Sequence, residues 1–236
     1  MGPRIWFVVP AAGASRRLGG PVPKQYLNLA GRRVIEHALE PLLSHASIAG
    51  GVVVLSADDQ DWPKLPAALR DRVVTAIGGR ERCHSVLAGL DALSAAAEED
   101  WVLVHDAARP CLGETELSRL VERCRGDAVG GLLALPVADA LKLEDGAGRV
   151  ERTVTRERLW RAQTPQMFRR GQLGSALAQA IDEGEIPPDE ATAIERLGFK
   201  PLLVEGSPLN IKITHPADLE FAARVLAMRG DPGRCG

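Results

Sequence analysis

The sequence predicts an open α/β fold, in which a mostly parallel sheet is covered by helices on both faces. Short apolar runs alternate along the chain with longer stretches whose apolar residues recur at helical spacing. The short runs are apolar throughout, which is typical of parallel strands buried on both faces. A length of 236 residues favours one large domain, or one domain with a small appendage, whose core needs no disulfide or metal.

The first part of the chain contains strand and helix patterns in alternation. The predicted strands are Ile5–Val9, Gly51–Leu55, Val73–Ile77, Trp101–His105 and Val129–Leu135. The helical patterns between them cover Arg32–Leu43, Ser85–Ala97 and Glu114–Cys124. Ligands of such sheets bind outside the carboxyl ends of the strands. We therefore expect functional loops directly after Val9, Ile77, His105 and Leu135.

A hairpin interrupts this alternation at Leu141–Val154, where two short alternating runs flank the turn-forming Asp145–Gly148. An isolated hairpin is marginal in water, so this one needs a surface to pack against. We predict a single domain over residues 1–228, with 136–156 as an inserted β-arm and 229–236 as a frayed tail. The later predicted elements are helices near Arg169–Ile181, Glu190–Leu197 and Pro216–Met228, and a short strand at Pro201–Val204.

The composition excludes several classes of protein. With 45% hydrophobic residues and a formal net charge of −2, the chain lacks the basic excess of a nucleic-acid binder. No run approaches the roughly 18 apolar residues of a membrane span, and Ile5–Ala12 is too short for a signal peptide. The four cysteines have neither CxxC nor metal-ligand spacing. We expect unpaired thiols and a cytoplasmic protein with no nucleic-acid or membrane partner.

The loop after the first strand, Pro10–Pro23, is rich in small residues and leads into Lys24. Small residues let backbone N–H groups approach an anion, and Arg16, Arg17 and Lys24 can neutralise its charge. A solvated glycine-rich turn with surface arginines explains the same composition. The loop matches neither the GxxxxGK[ST] pattern of a P-loop nor the GxGxxG pattern of a dinucleotide-binding turn.

Two further loops carry candidate ligands. Gly78 and Gly79 would let a flat base lie against the backbone, and the alternative is a helix start capped by Ser85. Asp106 follows a predicted strand and faces the ligand crevice, where Mg²⁺ bridging to substrate phosphates is a natural partner. The alternative for Asp106 is an ion pair with Arg109 that closes the loop.

Other polar residues beside apolar segments are ordinary when taken singly. Arg156 and Thr164 are examples in the second half of the chain. Lys212 alternates with apolar neighbours, and the default interpretation is an exposed lysine on an edge strand. His105 ends an apolar strand and is expected to be a structural histidine.

Seven segments taken together are more specific than any one of them. They are PAAGASRRLGGPVPKQYLNLAGRRVIEHAL, GGRERCHSVLAGL, VLVHDAARPCL, LPVADALK, RAQTPQMF, DEATAIE and EGSPLNIKITHPADL. In order and spacing they resemble the methylerythritol-phosphate cytidylyltransferases of the non-mevalonate isoprenoid pathway, from about Ile5 to Leu226. The chain departs from the pattern of that family at Ser15, Ala140, Pro188 and Leu209, which affects finer substrate contacts and not the reaction class.

The resemblance implies a Rossmann-like nucleotidyltransferase fold and a site for CTP. It implies that the nucleotide is held by Pro10, Ala11, Ala12, Gly13, Arg17, Lys24, Gly79 and Ser85. It also implies Mg²⁺, or another divalent metal, at Asp106, with Ala107, Arg109, Thr164 and Lys212 completing the site. Finally, it implies a homodimer in which the arm is exchanged and Arg156 reaches the substrate phosphate of the partner.

The implied reaction joins CMP from CTP to 2-C-methyl-D-erythritol 4-phosphate, a small polyol phosphate, and releases pyrophosphate. Such transfer depends on positioning and on charge stabilisation, so Arg17, Lys24, Arg156 and Lys212 are the predicted catalytic residues. No general base is needed, because the attacking phosphate is already ionised. A ribitol-5-phosphate cytidylyltransferase and a CTP-sensing protein without turnover are the alternatives. An NAD-dependent oxidoreductase is disfavoured by the failed spacing tests.

Overall fold

The computed structural model describes residues 2–13 and 22–230. Its strands are Ile5–Pro10 (β1), Asn28–Leu29 (β2), Arg32–Arg33 (β3), Ile48–Leu55 (β4), Val74–Ile77 (β5), Trp101–Val104 (β6), Gly130–Pro136 (β7), Leu141–Glu144 (β8), Val150–Val154 (β9), Trp160–Arg169 (β10) and Leu202–Glu205 (β11). Its α-helices are Val34–Ser44 (α1), Ala67–Arg70 (α2), Arg82–Ala92 (α3), Glu114–Arg125 (α4), Arg170–Asp182 (α5), Glu190–Arg196 (α6) and Pro216–Gly230 (α7).

Seven strands form one sheet in the order β11-β7-β10-β6-β1-β4-β5. The β1–β4, β1–β6, β4–β5 and β7–β11 pairs are parallel, and β10 runs antiparallel to both of its neighbours. The sheet is therefore mostly parallel, as predicted. Phe7 lies opposite Gly51 on β4, where an added Cβ would come within 2.4 Å of its ring. Only glycine leaves room for that aromatic side chain.

Helices cover both faces of the sheet, which confirms the predicted fold class. Along β1, Phe7 and Val9 pack with α1 and α4 in one buried cluster, while Val8 packs with α3, α5 and α6 in another. This alternation follows from the side chains of a strand pointing to opposite faces in turn. Burial on both faces explains why the strands read as continuous apolar runs.

The largest difference from the prediction is β10, which the sequence analysis missed. It occupies the middle of the sheet, between β6 and β7. Its sequence contains Pro165, which cannot donate to a strand ladder and is normally excluded from central strands. The register against β7 is irregular between Ala162 and Gln166, so Pro165 lies in a bulge. Because of its polar side chains and internal proline, β10 lacks the sequence pattern of a strand, and tertiary packing stabilises it instead.

Smaller differences concern the ends of elements. The helix predicted from Ser85 begins at Arg82, so Ser85 lies in its first turn and is not its cap. The helix predicted from Arg32 begins at Val34, after a small β2–β3 hairpin. Lys212 lies in an irregular segment after β11, so its prediction as an edge-strand residue is wrong.

The hairpin at 141–154 is present as β8 and β9, which pair only with each other in a separate two-stranded sheet. Side chains on it are exposed, with Leu141 at 38%, Leu143 at 39% and Val150 at 62%. A backbone hydrogen bond from Val137 N to Leu159 O closes its base, at 2.9 Å. We call residues 136–156 the arm. Within this chain the arm therefore leaves three of its apolar side chains exposed.

Two other expectations concern cysteines and membranes. Cys83, Cys111 and Cys124 are buried and unpaired, as predicted, and Cys235 lies outside the described residues. Over residues 2–13 and 22–230, no helix has the length and apolar character needed to cross a membrane.

Candidate active site

A cleft of about 610 Å³ opens at the carboxyl ends of the central parallel strands. It is lined by Pro10, Ala11, Ala12, Gly13, Lys24, Gln25, Gly79, Arg80, Glu81, Arg82, Asp106, Ala107, Ala108 and Lys212. Three of the four loops expected to be functional contribute, namely those after β1, β5 and β6. The loop after β7 leads into the arm instead, and contributes no residue to the described lining.

The first loop is tied to the turn that carries Lys24. Gln25 is buried, and its Nε2 donates to Ala11 O at 2.7 Å. The backbone N–H of Ala11 donates to Val54 O at 2.8 Å, which fixes this end of the loop to the sheet. Lys24 Nζ donates to Ile213 O at 3.2 Å, in the segment that carries Lys212. Arg17, predicted to act with Lys24, lies outside the described residues.

The glycine pair after β5 is packed closely against the first loop. A Cβ on Gly78 would lie 2.6 Å from Ala12 Cβ and 2.7 Å from Ser85 Oγ, so only glycine fits there. Ser85 is itself buried, and its hydroxyl lies 3.3 Å from Glu81 O and 3.5 Å from Gly79 O. Ser85 therefore supports the glycine loop from beneath, while Gly79 faces the cleft.

Asp106 is held by three cations. Arg82 Nε lies 3.2 Å from Oδ1, while Lys212 Nζ at 2.8 Å and Arg109 Nε at 3.4 Å contact Oδ2. The ion pair with Arg109, which the sequence analysis gave as an alternative, is present. Asp106 forms two further ion pairs, with Arg82 and Lys212. Burial opposes ionisation of this carboxyl, but Arg82, Lys212 and Arg109 together hold its pKa well below the ordinary range. Asp106 is therefore an anion at neutral pH.

Arg82 joins Asp106 to a second carboxylate that the sequence analysis did not select. Its Nη1 and Nη2 donate to Glu190 Oε1 and Oε2 at 2.5 and 3.1 Å. Glu190 is 1% exposed, and this burial raises the pKa of its carboxyl. The two residues are 108 positions apart, and nothing local in the sequence connects them. An arginine between two carboxylates is a feature that only the tertiary structure shows.

His105 and Thr164 lie behind Asp106 and fix its backbone. The Asp106 N–H donates to Thr164 Oγ1 at 3.0 Å, and Thr164 Oγ1 is 3.0 Å from His105 Nδ1. His105 Nε2 is 3.1 Å from Arg109 O, which can only accept. The proton of His105 is therefore on Nε2, and the Thr164 hydroxyl donates to Nδ1. Complete burial lowers the pKa of His105 to about 4, so the ring is neutral and structural, as predicted.

Asn210 extends this buried network toward Lys212. Its Nδ2 donates to Thr164 O at 2.8 Å, and its own backbone oxygen accepts from Arg109 Nη1 at 2.7 Å. A side-chain amide with no exposed surface thus connects β10 to the segment before Lys212. The segment is irregular, and these hydrogen bonds rather than a strand ladder hold it in place.

The predicted site residues fall into four groups. Those that line the cleft are Pro10, Ala11, Ala12, Gly13, Lys24, Gly79, Asp106, Ala107 and Lys212. Ser85, Arg109 and Thr164 are packed directly beneath this lining through the contacts given above. Arg156 is exposed on the arm and is absent from the described lining of the cleft in its own chain. Arg17 lies outside the described residues.

The donor set suits a metal that arrives with a nucleotide. Asp106 lines the cleft, and its carboxylate accepts a hydrogen bond from Arg82 Nε at 3.2 Å. An ionised carboxylate at this place fits Mg²⁺ that takes one carboxylate and draws its other ligands from phosphates and water. In the described part of the chain, no group of three or more His, Cys, Asp or Glu residues could hold a metal by itself.

Comparison with known proteins shows which family this sequence matches. The family model for 2-C-methyl-D-erythritol 4-phosphate cytidylyltransferase matches residues 5–228. A protein of that name from Ectopseudomonas mendocina is 53% identical over 223 residues, or 94% of this chain and 95% of that protein. Another from Xanthomonas campestris is 52% identical over 230 residues, or 97% of this chain and 87% of that protein.

Solved structures agree with the sequence comparison. The crystal structure of a 4-diphosphocytidyl-2C-methyl-D-erythritol synthase superposes with a TM-score of 0.85 at 39% identity, covering 96% of this chain and 99% of that one. The 2-C-methyl-D-erythritol 4-phosphate cytidylyltransferase of Francisella tularensis gives 0.81 at 32% identity, covering 94% and 99%.

Proposed function

The chain belongs to the 2-C-methyl-D-erythritol 4-phosphate cytidylyltransferase family, and from this premise we propose how its cleft carries out the reaction. It is a nucleotidyltransferase of isoprenoid biosynthesis that transfers CMP from CTP to 2-C-methyl-D-erythritol 4-phosphate and releases pyrophosphate. This activity is favoured over transfer to ribitol 5-phosphate and over CTP sensing without turnover. The roles of individual residues below are proposals.

The observation that carries the proposal is that two lysines, Lys24 and Lys212, line the same cleft as the glycine loop. Lys24 Nζ contacts the carbonyl of Ile213, the neighbour of Lys212, while Lys212 Nζ contacts Asp106. Both ammonium groups line the space that the nucleotide phosphates would fill. We assign Lys24, with Arg17, to the charge on the transferring group and the leaving pyrophosphate. Lys212 then holds the α-phosphate for in-line attack.

The acceptor phosphate attacks the α-phosphorus, a P–O bond forms, and the bond to the β-phosphate oxygen breaks with loss of pyrophosphate. Two anions have to meet in this step, so the protein must neutralise charge and hold both reactants in line. The attacking phosphate is an anion at neutral pH, and neutral, buried His105 is not required as a base. Gly79 and Ser85 are assigned to the cytosine and ribose, and Pro10–Gly13 of the first loop are assigned to the phosphates.

Enzymes of this family are nucleotidyltransferases that generally use a divalent metal. We assign the metal, Mg²⁺ or a similar ion, to Asp106, because that carboxylate is ionised and lines the cleft. When bound, the ion would neutralise phosphate charge. Arg82 and Arg109 keep the carboxylate in place while Lys212 turns to the nucleotide.

We also propose a homodimer whose active sites are shared through the arm. Supporting this are the exposed apolar side chains Leu141, Leu143 and Val150 and the absence of Arg156 from the cleft lining of its own chain. In an isologous dimer the same contact occurs twice, so each arm can bring Arg156 to the acceptor phosphate in the cleft of the partner. A cytoplasmic location is part of the proposal, supported by the unpaired cysteines.

One experiment tests the reaction and its specificity. Pyrophosphate release is measured for CTP, UTP, ATP and GTP, each with 2-C-methyl-D-erythritol 4-phosphate or ribitol 5-phosphate as acceptor. We expect turnover with CTP and the methylerythritol phosphate, and much less with any other pair. We expect a purine to be too large for the base position that we assign to Gly79. Equal turnover with UTP would refute base recognition at that position, and preference for ribitol phosphate would refute the acceptor.

A further inference from the structure

The ion pair between Arg82 and Glu190 is anchored on the scaffold of the protein. Glu190 begins α6, and the preceding Asp189 accepts from Thr192 N at 2.9 Å as the cap of that helix. Asp189 also accepts from Gln166 Nε2 on β10 at 3.0 Å. The carboxylate of Glu190 is therefore held by a capped helix that is docked on the central sheet. It is nearly inaccessible to solvent.

The guanidinium of Arg82 divides its charge between two carboxylates. Glu190 takes two hydrogen bonds on one side, and Asp106 takes the contact from Nε on the other, at 3.2 Å. A cation that approaches Asp106 is repelled by Arg82 and attracted by Glu190. In a site of low dielectric constant both effects are strong at these distances.

We infer that the Arg82–Glu190 pair sets how tightly Asp106 holds a divalent cation, with Arg82 weakening the binding and Glu190 strengthening it. The inference rests on the proposed metal position at Asp106. Both are positioning residues here, because they act through Asp106. An ion pair with only a structural role predicts that loss of either partner loosens the cleft and weakens metal binding. The electrostatic role predicts shifts in opposite directions.

The test measures binding of Mn²⁺ by electron paramagnetic resonance. The protein is kept in excess over a CTP analogue with a methylene group between the α- and β-phosphorus, so that all nucleotide is bound and none reacts. Glu190→Gln should raise the dissociation constant of Mn²⁺ on the order of tenfold, and Arg82→Gln should lower it by a similar factor. The double variant keeps the net charge of the pair and should bind close to wild type.

The experiment remains informative if one of the variants does not fold. Thermal unfolding of each variant is recorded first, since a buried carboxylate is being changed. If Glu190→Gln does not fold, Arg82→Lys replaces it in the comparison: it keeps the charge and should bind Mn²⁺ within a few-fold of wild type, whereas Arg82→Gln binds more tightly. Arg196→Gln and Glu183→Gln are the matched controls. These exposed partners, 2.6 Å apart, change net charge equally and should shift binding less than twofold.

The outcomes separate this inference from the metal assignment on which it rests. Asp106→Asn should weaken Mn²⁺ binding. If it does, but the Arg82 and Glu190 variants shift binding in the same direction or not at all, the tuning role is overturned and the metal position stands. If Asp106→Asn leaves binding unchanged, the metal position is overturned and the tuning role with it.

Discussion

The cleft and the arm differ in where their polar side chains find hydrogen-bond and ion-pair partners. In the cleft, Asp106 has three cationic partners, and one of them is fixed by a buried carboxylate more than a hundred residues away in sequence. On the arm, the side-chain hydrogen bonds recorded for 141–154, such as Lys142 Nζ to Thr153 Oγ1, stay within the hairpin. The cleft is thus preorganised by its own chain, whereas the side-chain hydrogen bonds described for 141–154 do not reach the rest of the described chain.

This difference indicates where each region draws its stability. Most of the buried polar groups beneath the cleft are hydrogen-bonded within the described chain, although Arg109 Nε, Gln163 Oε1 and Asn210 Oδ1 find no hydrogen-bond partner there. A two-stranded hairpin with exposed apolar side chains is marginal until another surface covers it. Substitutions in the cleft should therefore change chemistry, and substitutions on the arm should change assembly.

The largest effect is expected from Lys24→Ala. Loss of a preorganised cation at the phosphates should lower kcat by about 10²-fold or more, while folding survives. Lys64→Ala is the control, because that lysine is exposed and pairs with Asp61 outside the cleft. Steady-state kinetics and circular dichroism of both variants check this. A kcat for Lys24→Ala within a few-fold of wild type would remove Lys24 from the catalytic assignment.

Mixing variants tests whether cleft and arm meet across a dimer. Lys24→Ala and Arg156→Ala should each be nearly inactive alone. After co-refolding in equal amounts, half the dimers are hybrids with one intact site, so about a quarter of wild-type activity should return. Native mass spectrometry verifies that hybrids form. Hybrids that recover no activity would contradict the shared site.

A charge on the arm should weaken assembly without disturbing the cleft. Val150→Asp places a carboxylate on a side chain that is 62% exposed within one chain. If the arm is covered by a partner, burying that charge should raise the dimer dissociation constant by about tenfold or more. Ile186→Asp, at a position that is 49% exposed in a loop off the arm, is the control. Analytical ultracentrifugation compares the two, and equal behaviour would argue against an arm interface.

The smallest effect expected is a pH dependence from beneath the cleft. The pKa of His105 is about 4 in the fold, against an ordinary 6.5, because burial disfavours the imidazolium. Below pH 6.5 this histidine is protonated in the unfolded chain, whereas in the folded chain it stays neutral until the pH approaches 4. The contribution of the neutral ring to folding stability is therefore fully present above pH 6.5 and is lost as the pH falls toward 4. Between pH 7 and pH 5, wild type should lose about 2 kcal/mol more than His105→Gln.

Denaturant titration at the two pH values measures this difference. His215→Gln, which changes an exposed histidine, should keep the wild-type dependence. An identical loss in wild type and His105→Gln would contradict a neutral buried ring.

How much of this could be predicted from sequence depends on the range of each interaction. The loops after β1, β5 and β6 were predictable, because strand ends in parallel sheets mark ligand sites and apolar runs mark strands. The strand carrying Pro165 was not, since its position depends on the neighbours on both sides and not on its own pattern. Arg82 was missed for the same reason, because its role depends on the ion pair with Glu190, which only the tertiary structure brings together.

The central position of β10 also bears on how the protein is made on the ribosome. Strand β6 pairs with β1 on one side, and its other edge is closed only by β10, whose last residue is Arg169. Synthesis must therefore proceed past the whole arm before the two halves of the sheet can join. Until then the nascent chain presents the unpaired edge of Trp101–Val104, a strand with no exposed residue in the finished fold. We expect chains truncated between residues 140 and 160 to depend on chaperones, because an open apolar edge invites pairing with other chains.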